Sequence, residues 1–96
     1  MRVHWSPRAI RDADEAAAYI AGERPAAAER WLMGLFAAVR RLERFPESGR
    51  TVPLPGGPER REVLYGGSRI IYRTGERGVE IVTVMHVRRQ LRPEHL

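Results

Sequence analysis

"RREVLYGGSRIIYR", residues Arg60 to Arg73, is the stretch that decides the fold. Two runs rich in β-branched and aromatic residues flank Gly66-Gly67, a dipeptide suited to a two-residue hairpin turn with positive φ. Such a turn fixes the register. Tyr65 falls opposite Ser68, Leu64 opposite Arg69, Val63 opposite Ile70, Glu62 opposite Ile71, Arg61 opposite Tyr72 and Arg60 opposite Arg73. Alternation then places Val63, Tyr65, Ile70 and Tyr72 on one face with Arg61, the expected core face. Arg60, Glu62, Leu64, Arg69, Ile71 and Arg73 share the other, which is expected to be polar and open to solvent. A final strand is expected over Val79 to Val87, after a "GERG" loop of three or four residues. The loop length decides whether His86 or the odd-numbered Met85, Val87 and Arg89 align with Arg69, and the sequence leaves that open.

Upstream of the hairpin the periodicity changes. "RVHW" alternates and stops at "SP", where Ser6 caps and Pro7 takes the first helical position, so a short strand hands over directly to a helix. Ile10, Ala13, Ala17 and Ile20 recur at spacings of three and four as its apolar stripe. Gly22 marks the end of this helix and Pro25 the first turn of the next, so the two helices are expected to form an antiparallel hairpin. The second helix carries Ala28, Trp31, Leu32, Leu35, Val39 and Leu42 on one face and is halted by Pro46. Gly34 costs this helix about 1 kcal/mol relative to Ala, which points to a close approach by another element. Residues 46 to 59, "PESGRTVPLPGGPE", read as a long Pro/Gly-rich loop.

Ninety-six residues, 43% of them hydrophobic, make one domain over 1–96, with room for a single core that buries about two thirds of the unfolded surface. The chain has no cysteine, so neither disulfides nor thiolate zinc sites contribute, and a reducing cytoplasm is the expected compartment. No run reaches membrane-span length, and the opening "MRVHWSPRAI" lacks the apolar stretch of a signal peptide. The net charge is +5, which favours partners rich in phosphate or carboxylate: nucleic acid or an acidic protein. All 17 basic residues are Arg, a pattern that fits forked phosphate contacts and equally the codon bias of a GC-rich genome.

The outward Arg60, Arg69 and Arg73, with Arg88, Arg89 and Arg92 after the last strand, are the candidate binding residues, suited to phosphates or to a developing phosphorane charge. Arg60 opposite Arg73 is a like-charge pair that Glu62 partly relieves. The alternative is a solvated face in a protein that uses Arg where others use Lys. His86 is the histidine of the last strand and a candidate acid/base beside the arginines; His95 lies in the tail "RPEHL" and can reach the same face. Backbone hydrogen bonding is the plainer role for such a histidine. Trp5, Trp31, Tyr65 and Tyr72 read as core. The sequence shows no metal-ligand spacing, no Ser-His-Asp order and no phosphate-cradling Gly loop before a helix, and no cofactor is expected.

The order strand, two-helix hairpin, loop, three antiparallel strands resembles the RelE/ParE toxin superfamily of bacterial toxin–antitoxin systems. "WSPRAIRD" looks like the family's opening, "LERFPESGR" like its helix ending, "RREVLYGGSRIIYR" like its hairpin and "VMHVRRQL" like its finish. The resemblance implies an α+β, microbial RNase-like fold. It also implies a growth-inhibiting toxin, neutralised by a co-expressed antitoxin (ParD/RelB-like) whose acidic tail suits a basic partner. One branch, RelE-like, cuts messenger RNA in the ribosome; the other, ParE-like, poisons DNA gyrase without catalytic residues of its own. Arg69 and Arg89 match positions where the nuclease branch keeps catalytic arginines, with His86 and His95 as acid/base candidates. The branch's lysines before the hairpin turn are absent, and Arg60 and Glu62 occupy that region. Arginine stays protonated and accepts no proton. The extended helical hairpin and the "H.RR" ending look more like ParE, so the expected function is gyrase binding, with the ribosome-dependent endoribonuclease as the alternative. A stand-alone basic nucleic-acid-binding module is a third class; it leaves the helical hairpin unexplained.

Overall fold

The computed structural model describes residues 1–53 and 59–95. Strand β1 (Val3–Trp5) leads into helix α1 (Pro7–Ala21), followed by α2 (Pro25–Arg40) and a 3₁₀ turn, Arg41–Glu43; a second 3₁₀ turn, Pro93–His95, follows the last strand. Strands β2 (Arg50–Val52), β3 (Arg60–Tyr65), β4 (Ser68–Gly75) and β5 (Gly78–His86) complete a five-stranded sheet in the order β1-β5-β4-β3-β2. Helices α1 and α2 pack against each other as a hairpin, and α1 lies against β5. The architecture is α+β.

Ser6 joins the first strand to both layers. Its Oγ accepts the N–H of Ala9, capping α1, and donates to the carbonyl of Val82 on β5 at 2.7 Å. The same β5 pairs with β1 in parallel, Val3 with Val79 and Trp5 with Ile81. Where three antiparallel strands are expected, the sheet therefore has five and is mixed. A three-residue strand carries too little alternation to announce a partner seventy-odd residues away. The β2 strand is likewise hidden in the stretch that reads as loop, of which residues 54–58 lie outside the described residues.

The β3–β4 register is the one the Gly66-Gly67 turn dictates, from Tyr65 opposite Ser68 to Arg61 opposite Tyr72, with φ +54° at Gly66 alone of the pair. The β4–β5 connection departs from expectation. The strands run further than expected, to Gly75 and from Gly78, and leave a two-residue turn at Glu76-Arg77. A bulge then interrupts the ladder: Ile71 pairs with Thr83 but Tyr72 with Ile81, so Val82 has no opposite number. The extra residue switches which side chains face which way. It puts both Glu80 and Met85 on the face of Arg69 and Arg73, which simple alternation would not allow. Arg73 is thus opposite Glu80 of β5, with an ion pair at 2.7 Å, while on its other side the β3–β4 ladder ends at Arg61–Tyr72, one pair short of the expected Arg60–Arg73 neighbours. Arg60 is opposite Val52 of β2.

The main core lies between helices and sheet. Ala9, Ala13, Leu35, Val39 and Leu42 meet Ile70, Tyr72, Val79, Ile81 and Val84, with Trp5, Trp31, Val63 and Tyr65 packed around them. Ala9 replaces Ile10 on the buried face of α1, and Ile10 is exposed at 50%. Gly34 has the reason its helix cost implied: a Cβ there would overlap the ring and hydroxyl of Tyr65, which donates to the carbonyl of Trp31 at 2.9 Å.

The second face of the sheet is not open. Val52, Ile71 and Met85 form a small buried cluster there, against which Leu91 of the C-terminal segment packs. Ile71 is fully buried, so this face has its own apolar core beneath the arginines.

Candidate functional site

At the edge of that second cluster lies Glu62, its side chain only 3% exposed. A buried carboxylate needs compensation, and two arginines supply it. Arg69 Nε donates to Oε2 at 2.6 Å and Arg50 Nε to Oε1 at 2.6 Å. Arg50 is directly opposite Glu62 on β2 and Arg69 is diagonal to it on β4, so strand pairing itself sets the triad. Burial pushes the Glu62 carboxyl upward, but the hydrogen bonds from Arg69 and Arg50, and their charges, outweigh it and leave the group below its ordinary range.

Arg69, expected to be an outward binding residue, is consequently largely buried, its side chain 17% exposed. Its Nη1 points at the carbonyl of Arg89 at 3.5 Å, which ties the sheet to the segment after β5. Arg73 is engaged with Glu80 near the β4–β5 turn, and Arg60 is half-buried beside Val52. Arg88, Arg89 and Arg92 are exposed. They form the basic surface that the other three do not.

The histidines separate. His86 is opposite Ser68, on the face away from Arg69, and its Nδ1 accepts the N–H of Arg88 at 3.1 Å. His95 comes back onto the arginines: its Nε2 is 3.5 Å from Nη2 of Arg89, and its Nδ1 accepts the N–H of Arg92 at 3.0 Å. Of the four residues considered for cleavage chemistry, the structure brings Arg69, Arg89 and His95 into one chain of contacts and leaves His86 outside it. Among the described residues no group of three or more His, Asp or Glu side chains is placed to hold a metal ion.

One polar residue gives no sign of its role in the sequence. Asp12 of α1 accepts the hydroxyl of Thr83 at 2.6 Å and the N–H of Val84 at 3.0 Å, satisfying groups of β5 next to the bulge. One of three acids on α1, it reads as solvated in the sequence, and only its place against β5 gives it a partner.

The helical hairpin presents a contrasting surface. Trp5, Ile10, Ala13, Leu32 and Phe36, with Asp14 at the rim, line a groove of about 300 Å³ between α1 and α2. Trp5 meets Phe36 edge to face, and Met33 of α2 is also exposed. Among the described residues, this apolar patch and the basic C-terminal segment are two surfaces with chemistry to offer a partner.

A family model for the ParE toxin of type II toxin-antitoxin system, parDE, matches residues 3–91, from the first strand through Leu91. The chain belongs to the ParE toxin family. The Sinorhizobium fredii (strain NBRC 101917 / NGR234) protein Y4kP, which carries a toxin name, is 41% identical over 91 residues, covering 93% of this chain and 91% of that relative. A chain of the chromosomal ParDE TA system from P. aeruginosa has the same fold, with TM-score 0.77 at 18% identity, covering 91% of this chain and 96% of that one. The resemblance read from the hairpin and from "VMHVRRQL" is therefore shown at the level of family, and of the two branches it is ParE that matches. The ParE match spans the apolar groove, the Glu62 triad and Arg89, and stops before Arg92 and His95.

Proposed function

We propose that this ParE-family chain, a single toxin domain over 1–96, inhibits growth in the cytoplasm by binding DNA gyrase, and that a cognate antitoxin neutralises it. One observation carries the choice of binding over cleavage: Arg69, the arginine that a nuclease would need free, is committed to the buried carboxylate of Glu62. His86, the first candidate base, lies on the opposite face of the sheet. An arginine locked in an ion pair, with the strand histidine on the other face of the sheet, is a poor start for RNA cleavage.

The antitoxin reading is supported by the two complementary surfaces. The groove at Trp5, Ile10, Leu32 and Phe36 fits the apolar face of a helix, and the exposed Arg88, Arg89 and Arg92 fit an acidic tail. The family match supplies the class of partner. A net charge of +5 favours fast encounter with it.

The contact between Arg89 and His95 favours the second reading, a ribosome-dependent endoribonuclease, since it places a titratable ring by an exposed guanidinium. The discriminating experiment is biochemical. Purified protein is added to gyrase supercoiling and DNA-cleavage assays, and separately to programmed ribosomes carrying a message. Inhibited supercoiling with intact message supports the gyrase reading; message cleavage with unaffected gyrase establishes the alternative.

A further inference from the structure

We infer that the free chain forms a two-fold dimer through the outer edge of β1. The parallel ladder decides which backbone groups of that edge are left over. Val79 N–H donates to the carbonyl of Arg2 at 2.7 Å, and Ser6 N–H donates to the carbonyl of Ile81 at 2.9 Å. Backbone groups of successive strand residues point to alternate sides, so Arg2, His4 and Ser6 are the residues of this segment that bond toward β5. Val3 and Trp5 aim their N–H and C=O groups the other way, where β1 ends the sheet and has no further strand beside it. Four backbone groups are thus open to a second strand.

A second copy of the same edge fits them. Set antiparallel about a two-fold axis at His4, Val3 of each chain falls opposite Trp5 of the other, and the two pairs exchange four hydrogen bonds. Pro7, which has no N–H, ends the pairing just beyond. In a chain of net charge +5, self-association needs a contact where arginines do not oppose one another. This register meets that need, because it leaves the two Arg2 residues four positions apart along the strands, about 13 Å. At the axis His4 faces His4, and the residue behind each on β5 is an acid, Glu80.

The helix side of the edge supplies apolar area. Val3 and Trp5 are only partly buried against the main core, and Trp5 continues into Phe36 and Ile10, which are 44% and 50% exposed. About the axis these side chains approach their own copies, and the area they lose to water adds to the four hydrogen bonds. The antitoxin helix proposed for the groove would contend with the second copy for Trp5 and Phe36, so the dimer belongs to the free chain. It forms equally whether the target is gyrase or the ribosome.

The test begins with sedimentation of the wild-type protein alone, which is expected to show a monomer–dimer equilibrium in the micromolar range. Because the chain has no cysteine, a single introduced thiol then reports the geometry. His4→Cys sets two thiols across the axis at a non-hydrogen-bonded pair, with Cα atoms about 4.5 Å apart, within the reach of a disulfide. Mild oxidation is expected to convert this variant largely to a covalent dimer. Tyr19→Cys, at a position 81% exposed on α1, is expected to stay largely monomeric over the same interval. Val3→Pro removes one outward N–H and none of the β1–β5 bonds, and His4→Arg places two guanidiniums at the axis while leaving the backbone unchanged. Each is expected to weaken the dimer at least tenfold with an unchanged circular dichroism spectrum, and His4→Arg carries the test alone if Val3→Pro does not fold. A wild-type chain that stays monomeric at about 1 mM would overturn the proposal and leave the edge to a strand of another protein. So would equal cross-linking of the two cysteine variants, or a dimer that His4→Arg leaves unweakened.

Discussion

Arg69 and Glu62 are joined at 2.6 Å across the β3–β4 pair, and Arg50 grips the other oxygen of the same carboxylate from β2. One buried acid thus fastens three strands, β2, β3 and β4, and through the Arg69 contact to the Arg89 carbonyl it also touches the C-terminal segment. A sheet face that would otherwise be a row of repelling arginines becomes a fixed network.

Replacing the acid tests the network. Glu62→Ala leaves Arg69 largely buried without its partner and is expected to cost about 3 kcal/mol, measured by urea unfolding. Glu62→Gln should cost less, because the amide oxygen still accepts one of the two bonds.

The same triad sets an acid limit. The folded carboxyl lies below the ordinary glutamate value of 4.5, so its contribution to stability is complete above that value. As pH falls below 4.5 and through the lowered folded value, the unfolded chain takes up the proton first and the contribution is lost. Stability measured from pH 7 to pH 3 should therefore drop more steeply for the wild type than for Glu62→Gln.

Charge reversal separates Arg69 from Arg73. Arg69→Glu places a second carboxylate against a buried one and is expected to prevent stable folding at 37 °C. Arg73→Glu breaks a half-exposed pair with Glu80 and should change stability by only about 1 kcal/mol. Thermal unfolding of the two variants side by side makes the comparison.

Gly34→Ala opposes helix propensity to packing. Propensity alone favours the alanine by about 1 kcal/mol. The new methyl would overlap Tyr65 and dislodge its bond to Trp31, so the net effect is expected to be a destabilisation of about 1–2 kcal/mol, read from the same unfolding curves.

Phe36→Ser removes apolar area from the rim of the helical groove, where Phe36 is 44% exposed. The variant is expected to keep its fold and, if the groove receives the proposed antitoxin, to lose at least tenfold in affinity for it by calorimetric titration, the size of effect expected for the loss of an aromatic anchor.

Local chemistry makes much of this fold legible in the sequence. Ser6-Pro7 announces the start of α1, and Gly66-Gly67 fixes the β3–β4 register residue by residue, because a two-residue turn leaves its flanking strands no freedom of alignment. Gly34 signals the approach of Tyr65 through its cost to α2. The hidden features depend on long-range pairing or on a single added residue. The parallel partnership of β1 with β5 has no local signature, and the placing of Met85 and His86, which the sequence leaves to the loop length, is decided jointly by the two-residue turn and by the bulge at Val82, which shifts every later side chain by one. The triad is half visible: alternation puts Glu62 and Arg69 on one face, but the β2 strand that brings Arg50 lies in a segment rich in Pro and Gly. Burial of that face by Met85 and Leu91 then turns an expected binding arginine into a structural one.

Whether the chain is a toxin that binds gyrase is tested most directly by inducing it in a bacterial host and following the first minutes. Gyrase binding predicts early loss of negative supercoiling and gyrase-dependent DNA breaks while translation continues, with resistance conferred by a gyrase variant. Messages cut at the ribosome before any change in DNA topology would contradict it.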